Sequence, residues 1–173
     1  MHRFLSLLLL PVLWGLAGCS PALNWREVRV EPTALMALLP CKPDTGSRTV
    51  PFAGRETALH MVGCEAGGAT FAIAFAQIDD AAQAPDVLAR WKAATLANMR
   101  AASSTGLPVA IAGADSAVPP QRVSASGVRA DGSAVQSQAV YFARGRQVFQ
   151  AVIYAQRALP DGSDTFFSNL RFP

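Results

Sequence analysis

The stretch "GGATFAIAFA", residues 67–76, decides the fold. Two glycines supply a tight turn, and the residues after them alternate between large and small side chains. The large side chains, on one face of the predicted strand, are Phe71, Ile73 and Phe75. The small ones, on the other face, are Ala72, Ala74 and Ala76. Because neither face is polar, we expect both to be covered, and the alanine face can admit a helix at close range.

The segments on either side of this strand predict its neighbours. Residues 55–64 alternate in the same way, with Leu59 and Met61 on one face, which predicts the first strand of a hairpin. Residues 85–102 have the spacing of an amphipathic helix that begins at Pro85. Its inward positions are Leu88, Trp91, Thr95 and Met99. We expect Trp91 to be the central buried side chain between this helix and the sheet.

The C-terminal half predicts an antiparallel meander followed by a short helix. Its three strands cover residues 123–130, 133–143 and 147–156, and tight turns at Asp131-Gly132 and Arg144-Gly145 join them. The last two strands are apolar on both faces, which predicts central positions in the sheet. After residues 160–164 the sequence predicts a helix that Ser163 or Asp164 caps. Its inward side chains are Phe166, Phe167 and Leu170.

Two further segments are less regular. Residues 25–39 are predicted to be extended, with an interruption at Pro32. The extended segment ends at Pro40 and Pro43. Residues 103–120 are broken by glycine and proline. Within them, the apolar residues 109–112 are expected to pack on the core or to form a short strand.

The order of these elements predicts an α+β fold. We expect an antiparallel sheet of about six strands, covered by one long central helix and a short C-terminal helix. The segments "ALLP" (37–40), "AVYFARGRQVFQAVIYA" (139–155) and "DTFFSNLRF" (164–172), with the helix between them, resemble the PsbP/Mog1-like superfamily. Members of that superfamily are mostly non-catalytic partners of larger assemblies. The resemblance therefore implies the same fold, and binding more than turnover.

The N-terminus has the three-part layout of a secretory signal. His2 and Arg3 give a positive start, and residues 4–16 form an apolar run that Pro11 and Gly15 interrupt. A transmembrane helix needs roughly 20 apolar residues, and this run is shorter. The segment therefore predicts export of the chain.

The end of this run, Leu16-Ala17-Gly18-Cys19, resembles the lipobox of bacterial lipoproteins. The resemblance implies that Cys19 is diacylated on its thiol, becomes the N-terminus after cleavage and is acylated again, with palmitate-type chains. The residue after the cysteine is Ser20 and not Asp. This resembles Gram-negative lipoproteins that are sorted by default to the outer membrane. We thus expect a signal peptide at 1–18, a lipidated tether at 19–24 and one α+β domain at 25–173, facing the periplasm. An ordinary soluble secretory signal with a chance cysteine is the alternative.

Composition limits the classes of partner. Hydrophobic residues make up 51% of the chain and charged residues 16%, which favours a globular fold over disorder. The formal net charge is +3, and the basic residues are scattered along the chain. A nucleic-acid-binding protein should show clustered Lys and Arg, so we expect no nucleic-acid partner.

Cys41 and Cys64 are predicted to form a disulfide, because the expected compartment oxidises thiols. The bridge would close a loop of about 24 residues, which in the chain-entropy model contributes roughly 3 kcal/mol of stability. A metal site is the alternative: His60 and Cys64 are four residues apart on one face of a strand, and with Cys41 they could hold copper or zinc.

The sequence predicts no catalytic residues and no cofactor. The motifs Gly-x-Ser-x-Gly, Walker A and Gly-x-Gly-x-x-Gly are all missing. His60 is the only histidine that remains once the signal peptide is removed, and no motif of a catalytic nucleophile accompanies it. The carboxylates of Asp79, Asp80, Asp161 and Asp164 are interpreted as turn and cap residues.

We therefore expect a non-enzymatic envelope lipoprotein that binds or supports another envelope component. Its expected partners are the membrane, through the N-terminal lipid, and an envelope protein that the sequence does not name. A small envelope enzyme or metal-handling protein that uses His60 with Cys41 and Cys64 is the alternative.

Overall fold

The structure, a computed structural model, describes residues 23–52, 54–157 and 161–173, which form an α+β fold of two antiparallel sheets and two α-helices. The strands are β1 (Arg26–Arg29), β2 (Met36–Leu39), β3 (Asp44–Phe52), β4 (Arg55–Ala66), β5 (Ala69–Gln77), β6 (Ser104–Pro108), β7 (Gln121–Val128), β8 (Ala134–Arg144) and β9 (Gln147–Ala155). The helices are α1 (Ala84–Asn98) and α2 (Ser163–Ser168), and a 3-10 turn (Ala81–Gln83) precedes α1. No helix in these ranges is long and apolar enough to cross a membrane.

The larger sheet has seven strands in the order β3-β4-β5-β9-β8-β7-β6, and all its pairs are antiparallel. The glycine turn at 67–68 joins β4 to β5, and both glycines have positive φ, as a two-residue hairpin turn requires. The strand predicted after the glycine turn is confirmed as β5, and the meander is confirmed as β7, β8 and β9. The apolar strands β9, β8 and β5 occupy the middle of the sheet.

The two faces of this sheet differ as the alternation in β5 predicts. The alanine face packs against α1, whose buried side chains in its first two turns are Ala84, Val87 and Leu88. The phenylalanine face packs against α2 and the small β1-β2 sheet. Phe75, Phe149 and Phe142 lie side by side across β5, β9 and β8. Phe172 from the C-terminal segment packs on Phe142 and Phe149. Most of the large core side chains therefore lie on this second face.

Several sequence predictions differ from the structure. Strands β3 and β6 were not predicted. Of the two outcomes expected for residues 109–112, packing on the core is confirmed, since Ile111 is buried in the phenylalanine-face core and Val109 packs against it. The helix predicted to reach residue 102 ends at Asn98, since Arg100 adopts a left-handed conformation (φ 48°) that stops the helix. The cap of α2 is Gly162, not Ser163 or Asp164, whereas Phe166, Phe167 and Leu170 are buried as predicted.

The disulfide prediction is confirmed. Cys41 and Cys64 are bonded, with their Cα atoms 6.0 Å apart, inside the range that a disulfide requires. Cys41 follows β2 and Cys64 lies near the end of β4, so the bridge links the small sheet to the large one. Cys64 also packs against the phenylalanine-face core. The bridge thus holds the small sheet against the phenylalanine face of the large sheet.

Candidate functional site

A groove with a volume of about 550 Å³ lies between α1 and the large sheet, and we call it the α1 groove. Binding sites for small molecules usually measure roughly 300–1,000 Å³. The side chains that line it come from α1, from β3, β4, β5 and β9, and from the chain around the β7-β8 turn. The groove is therefore a concave surface of ligand size that the fold itself creates.

The floor of the groove is low because its side chains are small. Ala72 and Ala74 of β5 lie there, beside Leu59 and Met61 of β4. Gly63 of β4 pairs with Ala72, and a Cβ atom on Gly63 would lie 3.0 Å from the Cβ of Ala72 and 2.6 Å from the carbonyl oxygen of Phe71. Position 63, next to the floor, is therefore restricted to glycine.

Trp91 forms a wall of the groove and is not the fully buried centre of the helix interface that the sequence predicts. Its ring is half-buried, edge-on to Phe52 at 5.0 Å and to Tyr141 at 6.3 Å between ring centroids. The fully buried contacts of α1 come one turn earlier, at Val87 and Leu88. From Trp91 onward, the helix stands over the groove instead of over a closed core.

Gln150 of β9 fixes α1 to the sheet beside the groove. It is buried, and its Nε2 donates hydrogen bonds to Oγ1 of Thr95 (3.1 Å) and to the hydroxyl of Tyr141 (2.9 Å). Thr95 in turn donates from Oγ1 to the carbonyl of Trp91 at 3.0 Å. A buried amide is stable only when it is hydrogen-bonded, so this network holds the helix at one position. Our sequence reasoning missed Gln150, although a glutamine inside an apolar strand is a visible signal.

One end of the groove is closed by a backbone contact. The N–H of Val128 donates to the carbonyl of Met99 at 2.8 Å, which joins β7 to the end of α1. A Cβ atom on Gly127 would lie 2.0 Å from that same carbonyl oxygen. Only glycine therefore fits at this position without a backbone shift.

The charges around the groove have one sign. Arg48 and Arg129 line it, and no acidic residue does. The ion pairs among the described residues involve other arginines, namely Arg55 with Asp79, Arg122 with Asp164 and Arg171 with Glu27. Arg129 is half-buried and Arg48 is exposed. The groove thus combines apolar walls with a positive potential.

Tyr154 lies where the groove meets a second cleft, which is lined by the β4-β5 turn and also by Arg129. Burial, with a further contribution from Tyr141, raises the pKa of Tyr154 to about 12. Burial also raises the pKa of Tyr141, although the hydrogen bonds with Thr95 and Gln150 act in the opposite direction. Both hydroxyls are therefore protonated at neutral pH and can donate hydrogen bonds.

These shifts predict an unusual tyrosine titration. The chain contains only these two tyrosines, and a free tyrosine ionises near pH 10. At about pH 10.5 we expect a smaller tyrosinate absorbance from the folded protein than from the urea-denatured protein, which should give half or more of the full signal. Because the folded pKa values exceed the unfolded ones, the contribution of these two tyrosines to stability should be fully present below about pH 10 and should be lost as the pH rises toward 12. Equal absorbance of the two forms at 295 nm would contradict this.

The sequence-predicted site residues do not come together as a metal site. The sulfurs of Cys41 and Cys64 are bonded to each other, so neither is a free thiolate. The ring of His60 stacks on Phe75, with the centroids 4.9 Å apart. Within the described ranges, no group of three or more His, Cys, Asp or Glu side chains has a metal-binding arrangement. Cys19, the predicted lipidation site, lies outside the described residues.

Some of the carboxylates that were interpreted as turn and cap residues have such roles in the structure. Asp80 caps the 3-10 turn before α1, and its Oδ1 accepts from the N–H of Ala82 at 2.9 Å. Asp79 forms an ion pair with Arg55. Asp164, in the first turn of α2, forms an ion pair with Arg122. None of them lines the α1 groove.

No protein-family model matches the chain, and no curated protein sequence matches it significantly. A crystal structure of a protein of unknown function from Pseudomonas aeruginosa matches over 76% of this chain and 82% of its own. The two share 16% sequence identity, with a TM-score of 0.36. The function of the α1 groove must therefore be inferred from its own residues.

Proposed function

We propose that this protein is an outer-membrane lipoprotein, anchored through Cys19 and facing the periplasm, whose folded domain is a non-enzymatic binding module. The α1 groove is its ligand site. The observation that supports this best is the groove itself, an apolar concavity of ligand size beneath a helix that a buried hydrogen-bond network holds in place.

The chemistry of the groove favours binding over catalysis. General acid–base catalysis at neutral pH usually requires a histidine, a carboxylate or a lysine within reach of the substrate. The side chains that line the groove include none of these. The lining tyrosine, Tyr154, stays protonated far above neutral pH, because burial raises its pKa to about 12. It can donate a hydrogen bond to a ligand but does not act as a base.

The location is proposed from the lipobox-like sequence that ends at Cys19 and from Ser20 after it. Several acyl chains anchor a protein stably, since each buried methylene contributes about 0.8 kcal/mol. The disulfide between Cys41 and Cys64 is consistent with an oxidising compartment.

We also propose that the domain has the PsbP/Mog1-like arrangement. The element order supports this: α1 follows the β3-β4-β5 hairpins, the meander β7-β8-β9 comes next, and a short aromatic helix, α2, follows it. In that arrangement, α1 would be the central helix that covers the sheet.

Replacing Cys19 with alanine should abolish membrane retention, because the anchor is covalent lipid and not the apolar run. Fractionation of cells and metabolic labelling with an alkyne fatty acid would measure this. Ser20→Asp is the matched control, since it keeps the lipidated cysteine and should change only which membrane holds the protein. A Cys19→Ala protein that the fatty-acid probe still labels would contradict the proposal.

Photocrosslinking would test the groove. The full lipidated chain, placed in phosphatidylcholine nanodiscs, is irradiated with a neutral diazirine-bearing decanol, and the labelled peptides are mapped by mass spectrometry. We expect labels on groove residues such as Trp91 and Met61.

Two variants of one helix make this test specific. Ala94 and Ala93 are both exposed on α1, but only Ala94 lines the groove. Ala94→Phe should fill the groove and remove most of the label, and Ala93→Phe should leave it unchanged. Labelling that is insensitive to Ala94→Phe would exclude the groove as the site.

A further inference from the structure

The arginine and tyrosine at one end of the α1 groove indicate which kind of ligand it accepts. We infer that the groove binds a single aliphatic chain with one carboxylate head group, a fatty acid, whose head lies at Arg129 and Tyr154 and whose chain lies along the alanine floor. This inference rests on the proposed function and names the ligand class of that same site.

Charge is the first reason. Arg129 makes no ion pair or side-chain hydrogen bond within the described ranges. Its neighbour in sequence, Asp131, attracts it, but the carboxylate of Asp131 accepts hydrogen bonds from the backbone N–H and the hydroxyl of Ser133. Glu65 lies in the adjoining cleft, is exposed, and does not line the groove. A guanidinium without a close partner in a groove free of acids favours an anionic ligand.

Geometry is the second reason. Arg129 and Tyr154 both line the groove and the cleft next to it, so they stand at the junction of the two. The hydroxyl of Tyr154 stays protonated at neutral pH and can donate a hydrogen bond. A carboxylate has two oxygens, which can accept from a guanidinium and from a hydroxyl at once. The apolar walls of the groove suit the aliphatic chain of the ligand, and the volume of the groove is in the range that holds one small molecule.

Position relative to the anchor is the third reason. Trp25, near the start of the described chain, packs on Phe71 at 6.1 Å between ring centroids. Thr70, the residue before Phe71, pairs with Tyr154 in the sheet. The chain thus enters the fold at the same end of the sheet as the proposed head-group site, on the opposite, phenylalanine face. With Cys19 anchored in lipid, the four Cα–Cα steps from Cys19 to Leu23 span at most about 14 Å, which keeps this end beside the membrane.

Competition in the crosslinking experiment tests the inference. Decanoate and decanol, which differ only in the head group, compete with the neutral probe on the full lipidated chain in phosphatidylcholine nanodiscs. On the wild-type protein, decanoate should halve the labelling at about a tenfold lower concentration than decanol, because a hydrogen bond to a charged group is stronger than one to a neutral group. Decyltrimethylammonium should compete less well than either.

Variants assign the preference to its residues. Arg129→Gln should remove most of the difference between decanoate and decanol. Tyr154→Phe should reduce the difference in part. Arg26→Gln is the matched control, because Arg26 is exposed and does not line the groove. Each competitor partitions equally into nanodiscs that hold the wild type or a variant, so the comparison between proteins does not depend on partition.

The experiment distinguishes failure of the proposed function from failure of the inference about the ligand. If neither competitor nor probe reaches the groove, the proposed function is wrong, and this inference fails with it. If decanol competes as well as decanoate, or if Arg129→Gln leaves the preference intact, the groove still binds ligand but the inference is wrong. A two-chain phosphatidylglycerol that competes better than decanoate would also overturn it, in favour of a membrane phospholipid.

Discussion

Replacing Phe149 with alanine should lower the free energy of unfolding by about 3 to 5 kcal/mol, the range for removing a large aromatic side chain from a closed core. Phe149 is fully buried on β9, in the middle of the sheet. Its ring stacks on Phe142 at 5.0 Å and contacts Phe172 at 5.5 Å and Phe75 at 6.0 Å. Three aromatic neighbours held by separate elements cannot all move inward, so the cavity would stay largely open.

Urea unfolding monitored by tryptophan fluorescence would measure this loss. Phe52→Ala is the matched control, because Phe52 is half-buried at the groove wall and has one aromatic contact, with Trp91. We expect a clearly smaller loss of stability for Phe52→Ala. A loss below about 1 kcal/mol for Phe149→Ala would show that the phenylalanine face is not the main core.

Removing the disulfide has the second largest expected effect. The double variant Cys41→Ser with Cys64→Ser should lose about 2 to 5 kcal/mol of stability, because the bridge restricts the unfolded chain. The bridge joins the small sheet to the large one on the phenylalanine face, whereas the groove lies on the alanine face. Labelling of the groove should therefore be unchanged under conditions in which the variant is still folded.

A thiol titration and an unfolding curve together check this prediction. The denatured, unreduced domain should contain no reactive thiol, and reduction should expose two. If the unreduced domain already shows two thiols, Cys41 and Cys64 are not bridged in the protein. If groove labelling is lost while the variant remains folded, the two faces are coupled in a way that their separate contacts do not explain.

The alternation in β5 was sufficient to predict how the sheet is covered. A strand with large side chains on one face and alanines on the other has no polar face to expose, so each face needs a neighbour of matching shape. The same reasoning placed β8 and β9 in the middle of the sheet. For these strands, the side chains alone specify the environment.

Strands β3 and β6 were missed because edge strands carry a weaker signal. Most side chains of β3 and all of those of β6 are exposed, and the segments contain glycine, proline and polar residues. Such a strand is held by hydrogen bonds to one neighbour, which the sequence pattern does not reveal. The groove was missed for a related reason: it arises from the placement of β3 and α1 around a low floor. The sequence pattern pointed to Trp91, Thr95 and Ala74 as inward-facing positions but not to a groove between them. It also displayed Gln150, as a polar residue inside an apolar strand.

The strand order has a consequence for folding kinetics. Strands β3 to β5 pair with their neighbours in sequence, and so do β6 to β9, whereas β5 pairs with β9 across roughly 70 to 86 residues of chain. Local hairpins form in microseconds, but closing so long a loop loses far more chain entropy before any contact compensates it. Each half can therefore become structured early, and the joining of β5 to β9 should limit the rate. Until β5 and β9 pair, the phenylalanine faces of both strands lack the neighbours that bury them in the folded protein.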